Sequence, residues 1–285
     1  MKFTVVCNNI NRINTYKKIG ANAFIFALKD YSCGYESYFT LDEIKKIKEE
    51  NKDIEIFISL NKNFFNPELD NLKEVLKEVD KLNISGVLFY DMAILRMKHS
   101  LNLKTDLVWD QTHMVTNYNT CNYYYDKGVK YGIVSKEITI DEINEIADKT
   151  KMSLMTNIFC YPIMSFTRRS LVTNYFKSHD IDNNKNRYII TNNDEEYIIN
   201  EEEHGTGIYP NKLLNGSSII TSLKTDYAIL NDSFIDEELF SKVLGLFIKL
   251  YDTKDENIKK EIDDLAGDYR AFFDTKTIYK VKKNG

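Results

Sequence analysis

The chain reads as an α/β protein, a (β/α)8 barrel of the TIM type, with an insertion containing a β-hairpin between strands 7 and 8. Three observations predict this fold. Across 285 residues, eight short apolar runs recur at fairly even spacing, most leading through a polar loop into a helical stretch. The runs are continuously apolar, as parallel strands covered by helices must be. No GxGxxG or Walker A pattern follows any run, which argues against an open nucleotide-binding sheet and for a closed ring.

The elements follow in order. Phe3–Cys7 is the first run, followed by Asn8, Asn9 and a helix through Lys18 that Gly20 ends. Ala23–Leu28 is the second. Phe39–Glu50 reads as a helix in which Thr40 caps the N-terminus and Glu43, three residues on, completes a capping box. Ile54–Leu60 is the third run, closed by Asn61 and Lys62. Pro67 opens a helix whose apolar stripe is Leu69, Leu72, Val75, Leu76, Val79 and Leu82. Gly86–Tyr90, the fourth run, ends in Asp91, and Asp106–Trp109, the fifth, ends in Asp110 and Gln111. Tyr131–Val134 is the sixth, followed by Ser135, Lys136, Glu137 and a helix from Thr139 or Asp141 with Ile143 and Ile146 on one face. Ser153–Phe159 is the seventh. Tyr227–Leu230 is the eighth, leading through Asn231 and Asp232 to a helix from about Asp236 to Leu250.

The insertion occupies residues 160–225. Inside it, Arg187–Thr191 and Glu196–Ile199 flank the turn-rich Asn192-Asn193-Asp194, the pattern of a hairpin. A segment of this size on the loop face either lids a site or makes a subunit contact. We therefore expect a single barrel over residues 1–252, insertion included. A helical tail over 253–285 would have its last helix at Lys259–Phe273.

Composition limits the function classes. Hydrophobic residues make up 43% and charged residues 28%, which allows a large core under a solvated surface. Net charge is −5 with both signs interleaved, unlike a protein that coats nucleic acid, although a local basic patch is compatible with it. The N-terminus lacks the apolar stretch of a signal peptide, and no run approaches the roughly 18 apolar residues of a membrane span. Cys7, Cys33, Cys121 and Cys160 are dispersed without a CxxC pair, as expected of reduced thiols in a cytoplasmic protein.

In a barrel of this type the polar residues at strand C-termini share one pocket. Here they are Asn8, Lys29, Asn61, Asp91, Asp110, Gln111, His113, Glu137, Asn157 and Asn231. Asp91 and Glu137 are candidates for an acid/base pair, with His113 either beside them or merely capping a helix. Arg168 and Arg169 would grip a carboxylate or phosphate, or else tether the insertion through a salt bridge. His99, His113, His179 and His204 lack HxH and HExxH spacing, so neither a metal nor a cofactor is expected. GxSxG is absent. Cys160 is the one thiol placed where a nucleophile would sit, at the end of the seventh run, and is equally read as a small buried residue. The Tyr123–Tyr125 cluster is either an aromatic surface or groove packing.

The order of these segments resembles the collagenase-like peptidase family (peptidase family U-32). The resemblance is carried by Leu60-Asn61, Phe89-Tyr90-Asp91, Trp109-Asp110-Gln111-Thr112-His113 with Thr116-Asn117, Val134-Ser135-Lys136-Glu137-Ile138-Thr139, and Asn157 through Arg169. It spans roughly residues 3 to 250 and implies substrate-binding roles for Asn61, Gln111 and Asn117 beside the two arginines. The family signature after strand seven runs from a Glu through His-Gly to Ser-Gly-Arg-Cys. Here Met155 and Thr156 stand near the Glu, Phe159-Cys160 for His-Gly, and Arg169 for the cysteine. The eighth strand ends Ile229-Leu230-Asn231-Asp232 instead of the family's acidic element. Some relatives hold an iron–sulfur cluster with four cysteines. Only Cys33 and Cys160 fall in comparable regions here, so such a cluster is not expected.

The resemblance implies a hydrolase acting on a protein or peptide. Two alternatives stand beside it: an RNA-modification (hydroxylation) enzyme or accessory subunit, and a noncatalytic partner of a larger family member. The expected partners are a protein or peptide substrate or, on the second alternative, RNA, and a second copy or a family relative in a dimer, with no membrane.

Overall fold

The computed structural model describes residues 1–111 and 113–276. Thr112 of the fifth-strand element and residues 277–285 of the tail lie outside the described residues. Seven parallel strands come first: Lys2–Val6 (β1), Ala23–Ala27 (β2), Glu55–Leu60 (β3), Gly86–Phe89 (β4), Leu107–Trp109 (β5), Tyr131–Ile133 (β6) and Ser153–Cys160 (β7). The insertion then supplies Ser165–Thr167 (β8), Arg187–Asn192 (β9), Glu195–Glu202 (β10), Gly205–Pro210 (β11) and Leu214–Asn215 (β12), before Tyr227–Asn231 (β13) returns to the barrel. Each neighbouring pair from β1 to β7 is parallel, and β13 pairs in parallel with both β7 and β1. The ring is closed: this is a (β/α)8 barrel.

Period-two alternation divides the apolar residues between two cores. Val6, Ile25, Phe57, Leu88, Val108, Ile133, Met155 and Ile229 point inward and fill the barrel. Their neighbours Val5, Phe24, Ile58, Phe89, Trp109 and Leu154 point outward under the helices. Both faces are thus buried, which is why the strands read as unbroken apolar runs.

The helices are Ile13–Ile19 (α1), Leu41–Glu50 (α2), Leu69–Lys81 (α3), Met92–Leu101 (α4), Tyr118–Asp126 (α5), Ile140–Lys149 (α6), Leu171–Ser178 (α7), Glu237–Thr253 (α8) and Glu256–Ala266 (α9). Capping boxes start α2 at Thr40/Glu43 and α6 at Thr139/Glu142. Helices α4 and α7 are not among the elements expected from the sequence, and α5 is expected only as a helix beyond His113. The last helix ends at Ala266 instead of Phe273, because Gly267 turns the chain at φ 76°. Phe273 is then buried, and its carbonyl accepts from Ile140 N–H at 3.0 Å. Among the described residues no helix is long and apolar enough to cross a membrane.

The insertion is a separate antiparallel sheet in the order β8-β11-β10-β9. Asn192 pairs with Glu195, leaving Asn193 and Asp194 as a two-residue turn with φ 50° and 64°, both left-handed. The hairpin read from the sequence is therefore one half of a four-stranded sheet. At its other side Gly205 has φ 147°, and a Cβ there would lie 2.0 Å from the Thr167 carbonyl oxygen. Only glycine lets β8 and β11 approach so closely. β12 runs antiparallel along β7 and leads the chain back to the barrel.

Candidate active site at the barrel mouth

A cavity of about 360 Å³ opens where the barrel strands end and the insertion folds over them. Strand phase decides which polar residues reach it. In β5, Val108 points inward, so Asp110 also points inward and lines the cavity. In β4, Leu88 and Tyr90 line it, so Asp91 falls on the opposite phase. The Asp91 carboxylate turns to the helix layer, accepting from Ala93 N–H at 2.8 Å as the α4 N-cap and from Phe64 N–H at 3.0 Å. Gln111 is also outward: its Oε1 accepts from Trp109 Nε1 at 2.9 Å and its amide donates to the Tyr90 carbonyl. Asn117 is the N-cap of α5, accepting from Thr120 N–H at 2.9 Å. None of these three lines the cavity.

Asn61, Asn157 and Asn231 do line it. Asn61 clamps the loop after β2, accepting from Cys33 N–H at 2.9 Å and donating to the Cys33 carbonyl at 3.2 Å. A one-residue irregularity in β7 pairs Ile229 with Asn157 but Leu230 with Phe159. This bulge lets Asn157 and Cys160 both face the cavity while Phe159 packs outward.

His113 and Glu137 meet at the rim, Nδ1 to Oε1 at 2.9 Å, with both side chains more than half exposed. Arg168 lines the cavity mouth but is also committed. Its guanidinium stacks 3.9 Å from the Phe65 ring centroid, donates to the Asn63 carbonyl at 3.2 Å and lies 3.6 Å from Glu68. It thereby ties the insertion to the loop after β3. Arg169 is exposed beside it, and its carbonyl accepts from the Thr206 hydroxyl. Asp91, Glu137 and Arg168 accordingly do not converge on one point: Glu137 and Arg168 sit on the rim and Asp91 under it.

The electrostatic centre is Asp110. Burial pushes its carboxyl up to about 6, offset only by the charge of Lys136, which also lines the cavity. Among the described residues no side chain hydrogen-bonds to it. A carboxyl so placed changes protonation close to neutrality and can donate or accept a proton within the cavity. Burial also pushes Cys33 up to about 12 and Cys160 up to about 11. Both thiols are therefore protonated at neutral pH and poor nucleophiles. Cys7 and Cys121 are buried away from the cavity, so this chain's thiols do not fit a four-thiolate cluster.

Lys136, Cys33 and Tyr35 escaped the sequence reading as candidates. Lys136 had a signal, lying inside the sixth-strand element. Cys33 had one in its place comparable to the family's cluster cysteines, whereas Tyr35 had none, because the loop after β2 reaches the cavity only through tertiary packing.

The comparisons with known proteins agree with this architecture. The model of peptidase family U32 matches residues 8–226. The chain belongs to peptidase family U32. Among curated U32-like relatives, tRNA hydroxylation protein P2 of Bacillus subtilis (strain 168) is 25% identical over 287 residues, covering 91% of this chain and 93% of that protein. The same organism's tRNA hydroxylation protein P1 is 19% identical over 175 residues, covering 60% of this chain and 42% of that one. The solved structure of the U32 peptidase Mk0906 superposes with a TM-score of 0.53 at 11% identity, covering 82% of this chain and 93% of that chain, a likeness of fold. For this family member, peptide hydrolysis rests on the family's name alone.

Proposed function

We propose that this chain is a subunit of a tRNA-hydroxylating system, receiving a nucleobase at the mouth of its barrel. The observation that carries this reading is the near end-to-end likeness to a tRNA hydroxylation protein, 91% of one chain against 93% of the other. The cavity is consistent with it. Asn61, Asn157 and Asn231 offer both donors and acceptors, as the edge of an extruded base requires, and Tyr35, Tyr90, Tyr161 and Phe166 supply ring faces. Asp110 is the proton-handling group of this site and Lys136 its charge partner. The likeness to both P1 and P2 favours a hetero-partner from the same family.

The test is nucleoside mass spectrometry of tRNA from cells lacking this protein. A hydroxylated nucleoside should disappear, return with the wild-type chain, and not return with Asp110→Asn or Lys136→Met. An unchanged nucleoside profile would end the proposal. A second reading, peptide hydrolysis, draws on the His113–Glu137 pair, an imidazole and carboxylate in contact at the rim. It requires purified protein to cleave peptides and Glu137→Gln to abolish the cleavage with the fold intact.

A further inference from the structure

We propose that Asp30, Glu203 and His204 form a binding site for a divalent transition-metal ion of the Zn²⁺ type, pinning the insertion to the barrel. This inference stands independently of the tRNA reading. One ligand atom from each of the three side chains lies within 4.8 Å of the other two. They come from two separate pieces of chain. Asp30 follows β2 with a left-handed backbone, φ 70°, and Glu203 and His204 form the turn between β10 and β11. Dispersed histidines in the sequence give no hint of such a site, because Asp30 lies more than 170 positions before Glu203 and His204.

The three polar ends converge without satisfying one another. Among the described residues, neither carboxylate and neither ring nitrogen has a hydrogen-bond or ion-pair partner, and the imidazole's ring neighbour is Tyr38, edge-on at 6.4 Å. Two carboxylates brought to one imidazole without contact form an arrangement that a cation between them relieves. One nitrogen and two carboxylate oxygens suit Zn²⁺ and its neighbours better than Ca²⁺ or Mg²⁺, which take oxygen alone. A cation, Lys62, also acts on His204. Lys62 itself is neutralised by Glu68 at 2.8 Å, and it donates to the Asp30 carbonyl at 2.7 Å, fixing that backbone. Metal–ligand bonds of about 2.0–2.2 Å require the donors to draw together, which the exposed side chains of Asp30 and Glu203 permit by rotation.

The position gives the ion a task. Next to the turn, Glu202 accepts from Gly34 N–H at 2.8 Å, the same junction of insertion and β2 loop, and Cys33 and Gly34 line the cavity. A metal there would lock the insertion over the barrel mouth.

The experiment is calorimetric titration of the full, metal-stripped chain with ZnCl2, with MgCl2 as the comparison, together with thermal unfolding. We expect saturable uptake of one Zn²⁺ and a raised midpoint, with Mg²⁺ giving neither. His204→Gln and Asp30→Asn should each weaken Zn²⁺ binding by at least about tenfold. His113→Ala, which removes the other exposed imidazole–carboxylate pair, and Cys33→Ser should bind as the wild type does. Circular dichroism checks that each variant is folded. Wild-type affinity in His204→Gln, loss of binding in His113→Ala or Cys33→Ser, or no saturable uptake by the wild type would each overturn the assignment.

Discussion

Strands β2 and β9 are built from similar residues and meet opposite fates. Every residue of β2, Ala-Phe-Ile-Phe-Ala, is buried, whereas β9, with Tyr188, Ile189, Ile190 and Thr191, buries none of its six. Local β-propensity is high in both. The difference lies in what covers them: β2 has the barrel interior on one face and helices on the other, while Ile189 stands 60% exposed on the insertion. The barrel is therefore held by apolar area. The insertion's four-stranded sheet meets the barrel loops through polar contacts, among them Glu202 to Gly34, Arg187 to Glu36 at 3.1 Å, and Arg168 to Glu68, and through the Tyr209 ring against Phe234 at 5.4 Å, while its return segment buries Leu214, Ile219 and Ile220 in the barrel's outer core.

This contrast can be broken by mutation. Phe159 is fully buried on β7 and packs against Phe240 and Phe247 at 5.9–6.3 Å between centroids. Phe159→Ala should cost about 3–5 kcal/mol in chemical denaturation, while Ile189→Ala should change stability by less than about 0.5 kcal/mol. Comparable losses at the two positions would show that the insertion is as integral as the barrel.

Gly205→Ala has an intermediate effect and a local one. The added methyl meets the Thr167 carbonyl, so β8 must leave β11, at a cost on the order of 1–3 kcal/mol. Hydrogen exchange should rise across residues 165–210 and stay unchanged in β1 to β6. Exchange rising through the barrel as well would show that the two sheets unfold as one unit.

The most sharply pH-dependent change is at Asp110, where the two regions meet. Its carboxyl is raised from 3.8 to about 6 in the fold, so the folded state binds the proton more tightly than the unfolded chain does. That contribution is complete below pH 3.8 and is lost as the pH rises through about 6. Asp110→Asn should therefore match the wild type in acid and be more stable above neutrality, by on the order of 1–2 kcal/mol. A difference that is flat with pH would remove Asp110 from the role of a buried, shifted acid.

Much of the fold was legible in advance, for reasons visible in particular segments. Parallel strands buried on both faces leave unbroken runs such as Phe3–Cys7 and Ile54–Leu60, and capping residues such as Thr40 with Glu43 act within one turn. The candidate site was legible only in part. Asp91 and Asp110 both close an apolar run with an aspartate, and only strand phase sends one to a helix cap and the other into the cavity. Asn117 was marked by its position in a motif, yet it serves the N-terminus of α5.

What the sequence determined by itself was the repeating strand and helix grammar, the β9–β10 turn and the family, because each rests on short-range pattern: burial period, turn chemistry and motif order. Tertiary structure alone decided which polar ends share a cavity and how far the Asp110 proton is held, and it alone brought Asp30 to the Glu203-His204 turn. Those outcomes depend on ring closure and on the insertion folding back, which set distances between residues far apart in the chain, and no local pattern encodes such distances.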